Sequence, residues 1–182
     1  MNSLASVMTR INLSIIALIA QEELSLREIA EKVGCSPGKV HHAISLFKKQ
    51  GMVTLEKRKN RIIPKPNREH ALYQKVKALI NTSMILDAEA YKQLVGVAAI
   101  GIYGSYAQGT DDASSDVDLI LITNKRELEI REHIRNLERE IGKRVSPLIV
   151  TKKKLKQLEK ADKEFYIRLK LTAVILNGDI FG

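Results

Sequence analysis

A short apolar run over 97–103 leads into Gly104-Ser105 and a polar segment, after which a second run begins at Asp116 and continues Val-Asp118-Leu-Ile-Leu-Ile. Runs of this length, bounded by turn residues, predict strands. Side chains two apart on a strand share a face, so Asp116 and Asp118 project together at one strand end. Two carboxylates held there repel each other unless a cation sits between them. An oxygen-only pair of this kind suits Mg2+ completed by nucleotide phosphates and water. Gly104 lets the backbone come close to a ligand, and Ser105 offers a hydroxyl and an N–H to a phosphate. A lone Gly-Ser is an ordinary loop, and a lone Asp-x-Asp is an ordinary solvated strand entry. Their combination, with Asp116 eleven positions after Ser105, is specific.

Gly104-Ser105 followed by Asp116-x-Asp118 resembles the DNA polymerase beta-like nucleotidyltransferase superfamily, its small minimal members in particular, over residues 90–182. The resemblance implies a mixed sheet with helices that binds NTP with Mg2+ and passes a nucleoside monophosphate to an acceptor. By position, Gly104 and Ser105 would hold the nucleotide, while Asp116 and Asp118 would bind metal and carry catalysis. Such work is electrostatic, with two metals clamping the attacking and leaving oxygens. The family also supplies a third carboxylate from the following strand. Here that strand is Val145-Ser-Pro-Leu-Ile-Val-Thr151, which has no acid; Ser146 or Leu148 stands in its place. Pro147 weakens pairing at an interior position. Asp162, Glu164 and Asp179 are the acids left to substitute.

The rest of the chain explains its charge. Thirty Lys+Arg against twenty-one Asp+Glu give +9, and Lys48–Arg68 concentrates eight basic residues around Glu56 alone. Before this run, Ser25-Leu-Arg-Glu28 has the form of a capping box. The helix it opens carries Leu26, Ile29, Ala30 and Val33 inward and stops at Gly34. Ser36 then caps a second helix with Pro37 at its first position, and Val40, Ile44 and Phe47 form its buried stripe. An earlier helix over 12–20 buries Leu13, Ile16, Ala17 and Ala20. Met52–Glu56, the tip Lys57-Arg-Lys-Asn60 and Arg61–Ile63 read as a hairpin.

Two helices joined by a three-residue turn and followed by a basic hairpin resemble the winged helix-turn-helix domains of bacterial and archaeal regulators, over residues 12–66. The resemblance implies double-stranded DNA as partner. A helix fits the major groove, so Lys39, His41, His42 and Ser45 would reach base edges, and Lys57, Arg58, Lys59 and Arg61 of the wing would meet phosphates. His41 and His42 diverge by ~100° on a helix, which disfavours a metal pair.

The expected fold class is α+β: a winged helix-turn-helix at 1–66, a linker and connecting helix at 67–89, and a mixed-sheet nucleotidyltransferase-like domain at 90–182. Pro64-Lys-Pro66 marks the linker, and the connecting helix turns Leu72, Val76, Leu79 and Ile80 to one face. Beyond the last sheet residues, Lys152–Lys156 reads as a solvated helix start. Residues 162–171 continue as helix, and the apolar Val174–Leu176 packs on the sheet.

Composition removes other classes. Aromatic residues are 4% and Trp is absent, which excludes stacking platforms for single strands. A single cysteine, Cys35, excludes a disulfide framework and a multi-cysteine zinc site. No apolar run approaches the ~18 residues of a membrane span. The N-terminus lacks the marks of a signal peptide, so the expected location is the cytoplasm. Three functions fit. One is a DNA-tethered nucleotidyltransferase acting on a protein or small molecule. Another is a transcription regulator that uses an impaired transferase domain for nucleotide sensing or oligomerisation. The third is an antitoxin with a toxin-like protein partner. A homodimer would suit a two-fold DNA site.

Overall fold

The computed structural model describes residues 7–182, and its chain divides into two units, Met1–Ile80 and Asn81–Gly182. The first six residues, included above in the N-terminal domain and in the signal-peptide reading, lie outside the described residues.

Local capping lays out the first unit. Helix α1 (Arg10–Gln21) starts at Thr9, whose hydroxyl accepts the Asn12 N–H at 3.3 Å. Its buried residues are Ile15, Ile16, Ile19 and Ala20, whereas Leu13 and Ala17 are only half-buried. The expected face is therefore corrected. The helix is apolar on nearly every side, so its packing partners, and not its periodicity, choose the inward stripe. In α2 (Leu26–Val33) the Glu28 carboxylate accepts the Ser25 N–H at 2.8 Å and the Ser25 hydroxyl accepts the Glu28 N–H, completing the capping box. Ser36 caps α3 (Pro37–Lys49) by accepting the Lys39 N–H. Ile29, Ala30, Val40, Ala43, Ile44 and Phe47 then close a core with Met52, Val53, Tyr73 and Val76.

The hairpin is longer than the sequence pattern suggests. Strands β1 (Val53–Arg58) and β2 (Arg61–Pro66) pair antiparallel with Arg58 opposite Arg61, leaving only Lys59-Asn60 as the turn, with Lys59 at φ +50°. Pro64-Lys-Pro66, read from the sequence as the boundary mark after a strand ending at Ile63, belongs to β2. The sheet has two strands, and prolines two apart aim their nitrogens to the same side, away from β1. Helix α4 (Ala71–Asp87) turns Tyr73, Val76 and Ile80 inward, which leaves Leu79 at its edge and 48% exposed, against expectation.

The second unit is a four-stranded sheet in the order β5-β4-β3-β6, built from β3 (Ala99–Tyr103), β4 (Val117–Ile122), β5 (Val145–Val150) and β6 (Val174–Asn177). The pair β4/β5 is parallel and the other two are antiparallel, so the sheet is mixed and the chain is α+β as expected. Helix α5 (Glu89–Val95) precedes β3, and α6 (Gly104–Gln108) follows it. Helix α7 (Glu127–Ile141) makes the β4–β5 crossover; α8 (Lys152–Ala161) and α9 (Lys163–Thr172) follow β5. Val117, Leu119 and Leu121 of β4 pack with Tyr91, Leu94, Ile130, Ile134 and Leu137 from α5 and α7. Ile120 and Ile122 pack with Leu155, Tyr166 and Leu169 from α8 and α9. Burial on both faces is why β4 reads as an almost unbroken apolar run. Among the described residues no helix is long and apolar enough to cross a membrane.

The tail differs from expectation. Asp162 ends α8 and caps α9 by accepting the Phe165 N–H at 3.0 Å, and Val174–Asn177 adds a strand to β3 as well as packing. Pro147 is also better placed than expected. The carbonyls of Arg144 and Val150 accept the N–H groups of Val117 in β4 and of Thr123 just after it, so even-numbered residues bond inward. Pro147 sits at the opposite parity on an edge strand, where its missing donor interrupts no ladder. Long-range capping adds order: the Glu140 carboxylate of α7 accepts the N–H groups of Glu89 and Ala90 at 2.7 and 3.0 Å. Those bonds hold its pKa below the usual glutamate range.

Candidate functional site

No loop separates β3 from α6. The chain turns at Gly104, whose φ of +69° belongs to the left-handed region, and a Cβ there would collide with Asp118 Oδ2 and stand 3.2 Å from its Cγ. Only glycine lets the carboxylate lie against this turn. Asp118 reaches the position because it is the second residue of β4 and the cross-strand partner of Tyr103. Asp116, just before β4, falls on the same face by alternation. Burial raises the pKa of Asp118, and the nearby charge of Asp116 raises it further. Tyr103 is pushed up as well, by burial and then by Asp118. Arg144 lies 3.6 Å from Asp116 Oδ2. Ser105 follows Gly104 and is half-buried. The structure thus brings Gly104, Ser105, Asp116 and Asp118 to one end of the sheet.

The segment between the two motifs is held by residues that sequence reasoning does not single out. Asn81, on α4, donates from Nδ2 to the Tyr106 carbonyl at 2.9 Å and to Asp111 Oδ1 at 2.7 Å; it is 5% exposed and Asp111 3%. Asp112 accepts the Ser114 N–H, the Ser114 hydroxyl and the Ser115 hydroxyl through one oxygen, which lowers its pKa to about 2. Lys143 donates to the carbonyls of Asp112 and Ser115. The run Asp-Asp-Ala-Ser-Ser is a local signal for such a turn. The Asn81 contact, thirty positions away from Asp111, leaves no such trace.

Of the two residues expected where a third carboxylate would stand, Ser146 is the one beside Asp118. It is the parallel register partner of Asp118, on the same face of the sheet, and exposed. Leu148, two residues on, packs among Ile120, Leu155 and Leu169. Asp162 is the cap of α9, and Asp179 accepts the Gly182 N–H and pairs with Lys152 at 3.2 Å. Glu164 is exposed in the first turn of α9. Among the described residues no three His, Cys, Asp or Glu side chains gather.

In the first unit, α3 buries Val40, Ala43, Ile44 and Phe47. At ~100° per residue the opposite face is Gly38, His42, Ser45 and Lys49, with His41 on one flank and Lys39 on the other. All six are exposed. Lys49 is an addition to the expected set, although it continues the i+4 and i+7 spacing from Ser45 and His42. Acidic partners engage part of the wing. Arg58 pairs with Glu56 at 2.5 Å and with Glu23 at 3.0 Å, Arg61 with Glu28 at 3.3 Å, and Lys65 with Glu23. Among the described residues no ion pair involves Lys57 or Lys59.

Comparison with curated proteins finds no match. Residues 8–54 match the family described as winged helix-turn-helix DNA-binding, and residues 88–170 match the family described as nucleotidyltransferase domain. The two matches cover the capped helices with the start of the hairpin, and three of the four sheet strands together with Gly104, Asp116 and Asp118. The chain therefore joins an N-terminal winged helix-turn-helix to a C-terminal nucleotidyltransferase domain.

Proposed function

We propose that the C-terminal unit binds a nucleoside triphosphate with Mg2+ through Gly104, Ser105, Asp116 and Asp118, while the N-terminal unit binds double-stranded DNA. The observation that carries the first half is the Asp118 carboxylate set against the side-chain-free turn at Gly104, with Asp116 on the same face. The donor set fits the metal: two carboxylates leave room for phosphate oxygens and water, the mixture Mg2+ prefers. When bound, the ion neutralises phosphate charge. Ser105 donates its hydroxyl to the triphosphate, and Gly104 admits the phosphates close to the backbone. Titration calorimetry of ATP, GTP, CTP and UTP with and without Mg2+ tests this reading; heat that needs both partners supports it, and none with any nucleotide rejects it.

Ser146 favours a second reading, a regulator that binds nucleotide without efficient transfer. Moving a nucleoside monophosphate to an acceptor hydroxyl requires a base for that proton, and a serine hydroxyl beside Asp118 does not serve at neutral pH. Because Ser146 is exposed, Ser146→Asp installs a carboxylate without repacking. We expect this variant to bind Mg2+ about tenfold more tightly and to raise label transfer from α-labelled NTP to protein or added acceptors. A variant no better than wild type in either assay rejects Ser146 as the missing position.

For the DNA half, Lys57→Gln with Lys59→Gln should flatten the salt dependence of duplex binding by about 0.9 for each phosphate that the tip no longer neutralises. Arg58→Ala should have a smaller effect, since its guanidinium is held by Glu23 and Glu56. Equal slopes for wild type and the double-lysine variant would show that the wing tip touches no phosphate.

A further inference from the structure

Helix α8 is electrostatically ill-suited to its own stability. Lys152, Lys153 and Lys154 occupy its first turn, with no acid there, although the N-terminal end of a helix disfavours cations. Lys152, Lys156 and Lys160 follow at i, i+4 and i+8, stacking like charges at about 6 Å per step along one face. Lys153 and Gln157 lie beside them, and the five residues line a shallow groove of about 410 Å3. Asp179 pairs with Lys152 at 3.2 Å, and Glu159, exposed at i+3 from Lys156, is the one acid within the helix, so two acids stand against five lysines. The basic groove at the end of α7 differs, since Arg139, Lys143 and Arg144 already meet Asn136, backbone carbonyls and Asp116.

We propose that this face of α8 is a second nucleic-acid surface, binding a phosphodiester backbone through Lys152, Lys153, Lys156 and Lys160. A polyanion relieves the repulsion that the helix carries alone. The surface does not suit a membrane, because Leu155 and Leu158 are turned into the core with Ile120, Leu148 and Val150, leaving no apolar face to enter lipid. Nor does it suit a protein partner: its lining is lysine and glutamine, and it lacks the aromatic and arginine anchors that concentrate binding energy. Flexible lysine charges match the diffuse, sequence-independent charge of a nucleic-acid strand. Direction adds to the argument. Lys160 lies near the start of α9, where the Phe165 ring meets Tyr103, the cross-strand partner of Asp118, with centroids 6.2 Å apart. The lysine row therefore runs toward the end of the sheet that carries the carboxylates. The proposal does not depend on nucleotide binding at Asp116 and Asp118.

The test uses the full chain, with Lys152, Lys153, Lys156 and Lys160 all changed to Gln, in a parent that already carries Lys57→Gln and Lys59→Gln. Anisotropy is measured across a salt series with a labelled random-sequence DNA strand, its duplex, and the corresponding RNA strand. The α8 changes are expected to weaken binding about tenfold at low salt and to flatten the slope, by about 0.7 per neutralised phosphate on single strands or 0.9 on duplex. Whichever probe shows the weakening identifies the natural form of the strand. The same variant should melt at a higher temperature than its parent, which separates the removal of charge from a failure to fold. Unchanged slopes on all three probes overturn the proposal. So does a weakening seen with phosphatidylserine vesicles or an acidic protein but not with nucleic acid.

Discussion

Asp118→Asn should abolish magnesium-dependent nucleotide binding, by about 100-fold or more, and at the same time raise the melting temperature of the ligand-free protein at neutral pH. Both effects come from one cause. Burial and the Asp116 charge raise the Asp118 pKa, so the folded state favours the protonated acid. Stability from that proton is complete below the unfolded value of about 3.9 and is lost as pH rises through the raised folded value. Asparagine keeps the neutral form at every pH. Its advantage should appear above that interval and vanish in acid. Nucleotide binding runs the opposite way in the wild type, since the metal needs the carboxylate, and should strengthen as pH rises through the same interval. Calorimetric titration and melting curves over a pH series check both. Unchanged binding in the variant would sink the site; equal melting temperatures would sink the electrostatic account of Asp118.

Asn81→Leu should destabilise the C-terminal unit by about 3 kcal/mol, the cost of removing a donor from a buried carboxylate and a carbonyl together. For a unit of this size that corresponds to a drop on the order of 10 °C. Leucine fits the volume roughly, so the destabilisation reads the hydrogen bonds to Tyr106 and Asp111 more than a cavity. Denaturant unfolding checks it, and a change below about 1 kcal/mol would mean that other contacts hold the segment between the two motifs.

These two residues show what the sequence makes visible. Asp118 can be read directly, because alternation along a strand and the Gly-Ser turn before it are local patterns. The helix caps at Ser25, Glu28 and Ser36 are legible for the same reason. Asn81 is not, since nothing in a helix of ordinary polar residues marks the one amide that will meet a carboxylate thirty positions on. The wing shows the same limit. Its basic residues are obvious in the sequence, but Glu23, which engages Arg58 and Lys65, comes near only after folding. Periodicity also misleads where several apolar stripes are equally good, as in α1, and where a stripe runs past its packing partners, as at Leu79 in α4. The tail strand stays hidden because four residues, Val174–Asn177, carry too little pattern to announce it.

Pro147 has a further consequence. A sheet that ends in an exposed strand offers free amides to any other extended chain, and crowded solutions of such proteins join side to side. Here one outer strand interrupts that row at its middle, and the opposite one, β6, is only four residues long. Neither margin gives a growing fibril a long template.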